Sequence, residues 1–232
     1  MPMVAKVVPS AGISVQVLIT LAILLAASAA TFWALVRRWE SHRQWHALSE
    51  WASERKFRAR SVDRHGLPQV LAALSDHSPV VRLYLADASS TLLQFQTSPR
   101  QSQVAGGIRG GPAVWNLLAR RVETSWPPTG LRPTAAADSA LDLFSLSGYP
   151  LLGTTERFTV FGTDSIAARA LSESMARSLL PPDVGLLLRD NELLLDFSKR
   201  PFDQIELDRM LALASQVAEK LECASPKSVT PN

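Results

Sequence analysis

His42 and His46 lie four residues apart, a spacing that on a helix sets two imidazoles over one face where they can share a metal ion. No glutamate of an H-E-x-x-H motif separates them, and no histidine beyond the first third of the chain completes a set of ligands. Solvated polar residues on an amphipathic helix are the better reading. The glycine-rich run Gly106-Gly-Ile-Arg-Gly-Gly111 places Arg109 where an anion-cradling loop would want it. It has neither the Gly-Lys-Ser/Thr ending of a Walker loop nor G-x-G-x-x-G spacing after a strand, so it reads as a connector. Ser53-Glu-Arg-Lys56 fits the bare S-x-x-K pattern, yet the S-D-N and K-T-G partners are missing. No G-x-S-x-G elbow occurs. The carboxylates Asp183, Asp190, Glu192 and Asp196 are close in sequence, but acids at strand ends and turns are normally solvated. The single cysteine, Cys223, precludes an intrachain disulfide and reads as an incidental small residue near the end of the last helix. The expectation is no catalytic constellation, no metal and no cofactor.

The elements that carry these residues say more. From Val17 to Val36 the chain runs 20 residues without a formal charge, about 30 Å of helix at 1.5 Å per residue, which matches a bilayer's hydrocarbon core. Arg37 and Arg38 stop the run, and Trp33 and Trp39 straddle them, where indoles favour the headgroup level. Lys6, the apolar run and Ala27-Ser28-Ala29 also fit the outline of a signal peptide. Apolarity continues past that cut, however, so a retained span over residues 13–36 is favoured. Ala22, Ala26, Ala30 and Ala34 form a small-residue stripe of the kind that lets two membrane helices pack closely. Alanine also occurs off the stripe, at Ala27 and Ala29.

Charge follows the same division. Residues 37–64 hold eight Lys/Arg against four acids, and beyond Arg64 fifteen basic residues face seventeen acidic ones. The basicity of this chain, formal charge +3 overall, is therefore juxtamembrane. That suits anionic headgroups and argues against nucleic acid as a partner. The positive-inside rule puts residues 1–12 outside and the rest beyond the span in the cytoplasm.

After the arginines the helix is expected to continue to about Lys56, with Trp45 docking on the soluble body and Trp51 flanking it. Residues 57–222 are expected to form an α+β domain with a mainly antiparallel sheet, followed by a flexible tail, 223–232. Within it, Leu67–Ser75 reads as a short helix. Val81–Leu85 and Leu93–Phe95 alternate apolar and polar residues around Asp87–Ser90, the signature of a hairpin. Trp115–Val122 reads as a strand. Phe158–Gly162 reads as a strand entering a helix capped by Thr163 or Asp164, with Ile166, Ala170 and Leu171 inward. Two leucine triplets, Leu186–Leu188 and Leu193–Leu195, flank Asp190-Asn191, a pair that tolerates positive φ. This predicts a hairpin buried on both faces with Arg189 opposite Glu192. A last helix over Phe202–Leu221 would bury Ile205, Met210, Leu211, Leu213, Val217 and Leu221. Gln101–Pro112 and Glu123–Ala140 read as long loops.

The segment Phe158-Thr-Val-Phe-Gly-Thr-Asp164 with Ala167-Ala-Arg-Ala-Leu171, the leucine pair of strands and the terminal helix resembles a group of bacterial single-pass membrane-anchored proteins with no assigned activity. The resemblance covers about the last third of the chain and implies an anchored domain without implying a site. The leading expectation is a membrane-tethered, non-enzymatic module that binds itself or a membrane-protein partner at the cytoplasmic face. Its rivals are a membrane-anchored hydrolase-like enzyme with a site assembled from scattered residues, and an envelope protein whose domain lies outside the cytoplasm.

Overall fold

A computed structural model describes residues 15–59, 80–97, 113–136, 138–144, 148–176 and 179–224. The glycine-rich run, the 67–75 segment, the 101–112 segment, His65, His77 and the last eight residues lie outside the described residues. The chain divides into two units, Met1–Ala47 and Leu48–Asn232. Helix α1 spans Val15–Glu54 and contributes its last two turns to the second unit.

Two long strands organise that second unit. β4, Val114–Pro133, has 20 residues, and β7, Gly185–Asp196, pairs with it antiparallel along most of its length. The remaining strands are β1 (Arg58–Ala59), β2 (Val80–Ala86), β3 (Ser90–Gln96), β5 (Leu151–Thr154) and β6 (Phe158–Gly162). All pairings are antiparallel, in the order β1-β2-β3-β4-β6-β5, with β7 also on β4. The protein is thus α+β, with an antiparallel sheet of seven strands among the described residues. The β2–β3 hairpin forms as its alternation predicts. Asp87 makes its turn, its Oδ1 accepting from the backbone N–H of Ser89 at 2.7 Å and of Ser90 at 2.5 Å.

The leucine triplets are buried on both faces, as their uninterrupted apolarity implies. They do not form a hairpin. Both belong to β7, with Leu186–Leu188 against Thr129–Leu131 and Leu193–Leu195 against Leu118–Arg120. Asp190 does adopt positive φ, 54°, but as an irregularity within one strand. Its effect shows in the side-chain parity: Leu186 and Leu188 share a face with Leu193 and Leu195, so even positions before Asp190 and odd ones after it point the same way. Arg189 accordingly meets Asp190 at 3.7 Å, and it is Arg121 of β4 that stands opposite Glu192 in the register. Residues 123–133, expected as loop, continue β4, with Pro127-Pro128 in the stretch between its two ladders to β7.

One face of the sheet is covered by α3 (Gln204–Ala224), by the end of α1 and by α2 (Ser165–Leu171), which runs on into a π-type turn, Ser172–Ala176. The other face carries Leu93, Phe95, Leu117, Leu187 and Leu194 against a 3₁₀ helix, Ala140–Phe144. That helix sits so close to β7 that a Cβ on Gly185 would come within 2.7 Å of Leu141 Cδ1. Asp164 caps α2 as expected, accepting from Ile166 N at 2.7 Å and Ala167 N at 3.2 Å. Ile166 and Ile205, expected inward, point to solvent; Ala167, Ala168 and Leu171 in α2 and Leu207, Ala214 and Ala218 in α3 take the inner positions.

Candidate functional site: an apolar helix, its clamp and a sheet edge

Leu18–Val36 is long and apolar enough, by length and composition, to cross a membrane, and none of it is buried within the molecule. Its large side chains, Ile23, Leu24, Leu25, Phe32 and Leu35 among them, are exposed, as are Trp33 and the stripe Ala22, Ala26, Ala30 and Ala34. The few hydroxyls fold back on the helix. Thr20 donates to Gln16 O at 2.8 Å, Ser28 to Leu25 O at 2.9 Å and Thr31 to Ala27 O at 3.0 Å. This is how a helix silences polar side chains where no water can serve them. Arg37, Arg38 and Trp39 lie within α1, while their side chains are outside the described residues.

The end of α1 is fastened to α3. Trp51 is only 3% exposed, stacks on Phe57 with ring centroids 5.6 Å apart, and donates from Nε1 to Asp208 Oδ1 at 2.9 Å. Arg55 reaches the other oxygen of the same carboxylate at 2.7 Å and lies 5.1 Å over the indole. The tryptophan expected to dock, Trp45, is instead 50% exposed. The indole at 51 wins because it has both an aromatic face and an acceptor within reach.

Asp196, expected to be solvated, is 5% exposed. Its Oδ2 accepts from Ser139 Oγ and Ala140 N, each at 2.7 Å, and its Oδ1 from Ser198 N at 3.1 Å and Ser198 Oγ. Two serines on one carboxylate resemble a nucleophile pair. However, Ser139 is itself buried, and these bonds tie down the start of the 3₁₀ helix and the turn after β7. Their role is structural. Alongside, Asn116 Nδ2 donates to Arg200 O at 3.1 Å, and Arg200 grips Asp183 with two bonds of 2.7 Å while also reaching Glu206. Among the described residues no group of three or more His, Cys, Asp or Glu could hold a metal ion.

The Arg200 hydrogen bonds hold the Asp183 carboxyl below its ordinary range, and Asp183 and Glu206 raise Arg200 in turn. A carboxyl depressed in the folded state stabilises above its unfolded pKa of about 3.9, and that contribution is lost as pH falls through the folded value. Asp183→Asn is therefore expected to flatten the fall in unfolding free energy below about pH 4, read from urea titrations at a series of pH values. An unchanged slope would show that the pair contributes nothing.

β5 closes one end of the sheet and presents Leu151 and Leu152 outward, at 61% and 38% exposure. Sequence reading missed this strand. Four residues containing a glycine give no alternation to detect. The acceptors Asp208 and Asp196 were missed for a different reason, since their donors lie far away in the chain.

In sequence, the chain matches no protein family and no curated protein. In structure it is similar to the mycobacterial trehalose monomycolate transport factor A, TtfA, with a TM-score of 0.50 at 16% identity, over 76% of this chain and 93% of that one. At that identity the likeness is one of fold.

Proposed function

We propose that this chain is a membrane-tethered, non-enzymatic factor whose α+β unit works at the cytoplasmic face by binding a second copy of itself or a membrane-protein partner. The observation that carries the reading is the exposed apolar helix Leu18–Val36, which only a lipid or helix partner would cover. The likeness in fold to a protein named as a transport factor supports an accessory role at a membrane and says nothing of cargo. Arg37 and Arg38 would meet anionic headgroups between Trp33 and Trp39, and Ala22, Ala26, Ala30 and Ala34 would offer a helix-packing face. Tethering confines the partners to one surface and so raises their effective concentration.

The test is fractionation with topology reporters. The full chain is expected to resist carbonate extraction, and a C-terminal reporter is expected to be active only if it works in the cytoplasm. Leu24→Arg, at the middle of the span, should raise the insertion free energy by about 3–4 kcal/mol and shift the chain toward the soluble fraction. A soluble wild-type chain, or a reporter active only outside the cytoplasm, would sink the reading.

A further inference from the structure

β4 changes neighbours in mid-strand. Along one edge it pairs with β3 up to Arg120 and with β6 from Thr129, and none of the described strands lies beside the residues between. Along its other edge the ladder to β7 breaks at the same level. Arg121 stands opposite Glu192 and Trp126 opposite Asp190, so four residues of β4, Val122 to Ser125, face the single Asn191. Such an excess is a bulge, and it leaves backbone groups out of the ladder. Two side chains there also have buried polar atoms with no partner among the described residues, Trp126 Nε1 and Thr124 Oγ1. The indole is only 1% exposed, in a core cluster with Val122, Leu131, Phe158 and Met175, whose side chains offer it no oxygen. The other buried tryptophans do have acceptors: Trp51 bonds Asp208 at 2.9 Å and Trp115 bonds Thr97 Oγ1 at 3.0 Å. Even the buried hydroxyl of Thr129, just past the bulge, donates to Pro127 O at 2.9 Å.

We propose that the β4 bulge is a binding site for a buried water molecule, held by Trp126 Nε1 and Thr124 Oγ1. An indole N–H can only donate, so its partner must be an acceptor, whereas a threonine hydroxyl can donate or accept. Water meets both demands and keeps hydrogens for the carbonyls that the bulge frees from the ladder. An ion does not suit the place. The charged residues of this stretch, Arg121 and Glu123, are exposed, so a charge beside the indole would be buried without a counter-charge. The water stands in for a strand neighbour where β4 passes from β3 to β6, and the strand changes partner without burying an unmet donor.

The experiment is NMR of the full chain in micelles with isotope-labelled tryptophan, the six indole signals being assigned by replacing tryptophans one at a time with phenylalanine. The Trp126 Nε1 proton is expected to show a cross-peak to water, of opposite sign in laboratory-frame and rotating-frame spectra, as a long-lived bound water gives. The peak should persist in Thr124→Val, where the indole and the bulge carbonyls still hold the water. Its loss there would make the hydroxyl itself the source and overturn the proposal. Unfolding constants from urea titrations give a second reading. Because both side chains hold one water, the double variant Thr124→Val/Trp126→Phe should raise the unfolding constant at least about twofold less than the product of the single effects. Single effects that simply multiply would show that nothing is shared. No water cross-peak at Trp126, or cross-peaks to a co-purified molecule in its place, would also overturn the site. Should Trp126→Phe fail to fold, the spectra of the wild type and Thr124→Val decide alone.

Discussion

Trp51→Ala is expected to lower the unfolding free energy of the Leu48–Asn232 unit by about 3–5 kcal/mol, the range for removing a buried large aromatic side chain. For a unit of this size that is roughly a 10 °C fall in melting temperature. The change deletes the stack on Phe57, leaves Asp208 without its indole donor and takes away the ring beneath Arg55. Trp51→Phe separates the contributions: it keeps an aromatic face and loses the hydrogen bond, so it should cost about 1–2 kcal/mol. Trp45→Ala serves as the control and should stay within about 0.5 kcal/mol, because its side chain is half exposed. Urea unfolding followed by circular dichroism measures all three. Equal losses at positions 45 and 51 would show that the clamp has been misassigned.

Asp196→Ala should be nearly as damaging, at about 3–5 kcal/mol. Ser139 Oγ, Ala140 N, Ser198 N and Ser198 Oγ would lose their acceptor inside the protein, where no water replaces it at low cost. Asp196→Asn keeps one oxygen and should recover part of the loss. Hydrogen exchange gives a second readout. The amide of Ala140 should lose protection in both variants, while Leu194 in the middle of β7 changes only as far as global stability does. A variant with wild-type stability would mean that the carboxylate is dispensable and its burial serves some other purpose.

What the sequence revealed depended on how local the cause was. The β2–β3 hairpin was legible because strand alternation and the Asp87 turn lie within twenty residues of each other. The Asp164 cap was legible because a cap bonds two or three residues ahead. At Asp190 the chemistry was read correctly and its consequence was not. An aspartate that accepts positive φ can close a turn or bulge a strand, and a partner some sixty residues earlier decides which. That partner was itself obscured, since Arg120-Arg121 and Pro127-Pro128 interrupt the apolar pattern of β4 where it changes ladders. The buried acids were illegible in principle. Nothing next to Asp196 or Asp208 announces that Ser139 or Trp51 will arrive. The apolar helix was the plainest feature, because length and composition alone define it.

The pairing of β4 with β7 also sets an order of events during synthesis. The apolar helix is complete at Val36, but the central ladder closes only when Asp196 is available to pair with Leu117. About 160 residues separate the two, some ten to thirty seconds of translation at 5–20 residues per second. Throughout that interval β2, β3 and β4 lack the strand that completes their sheet. A nascent chain therefore presents its apolar helix long before its domain can finish folding, and a truncation anywhere before β7 would leave β4 without the strand that pairs along it.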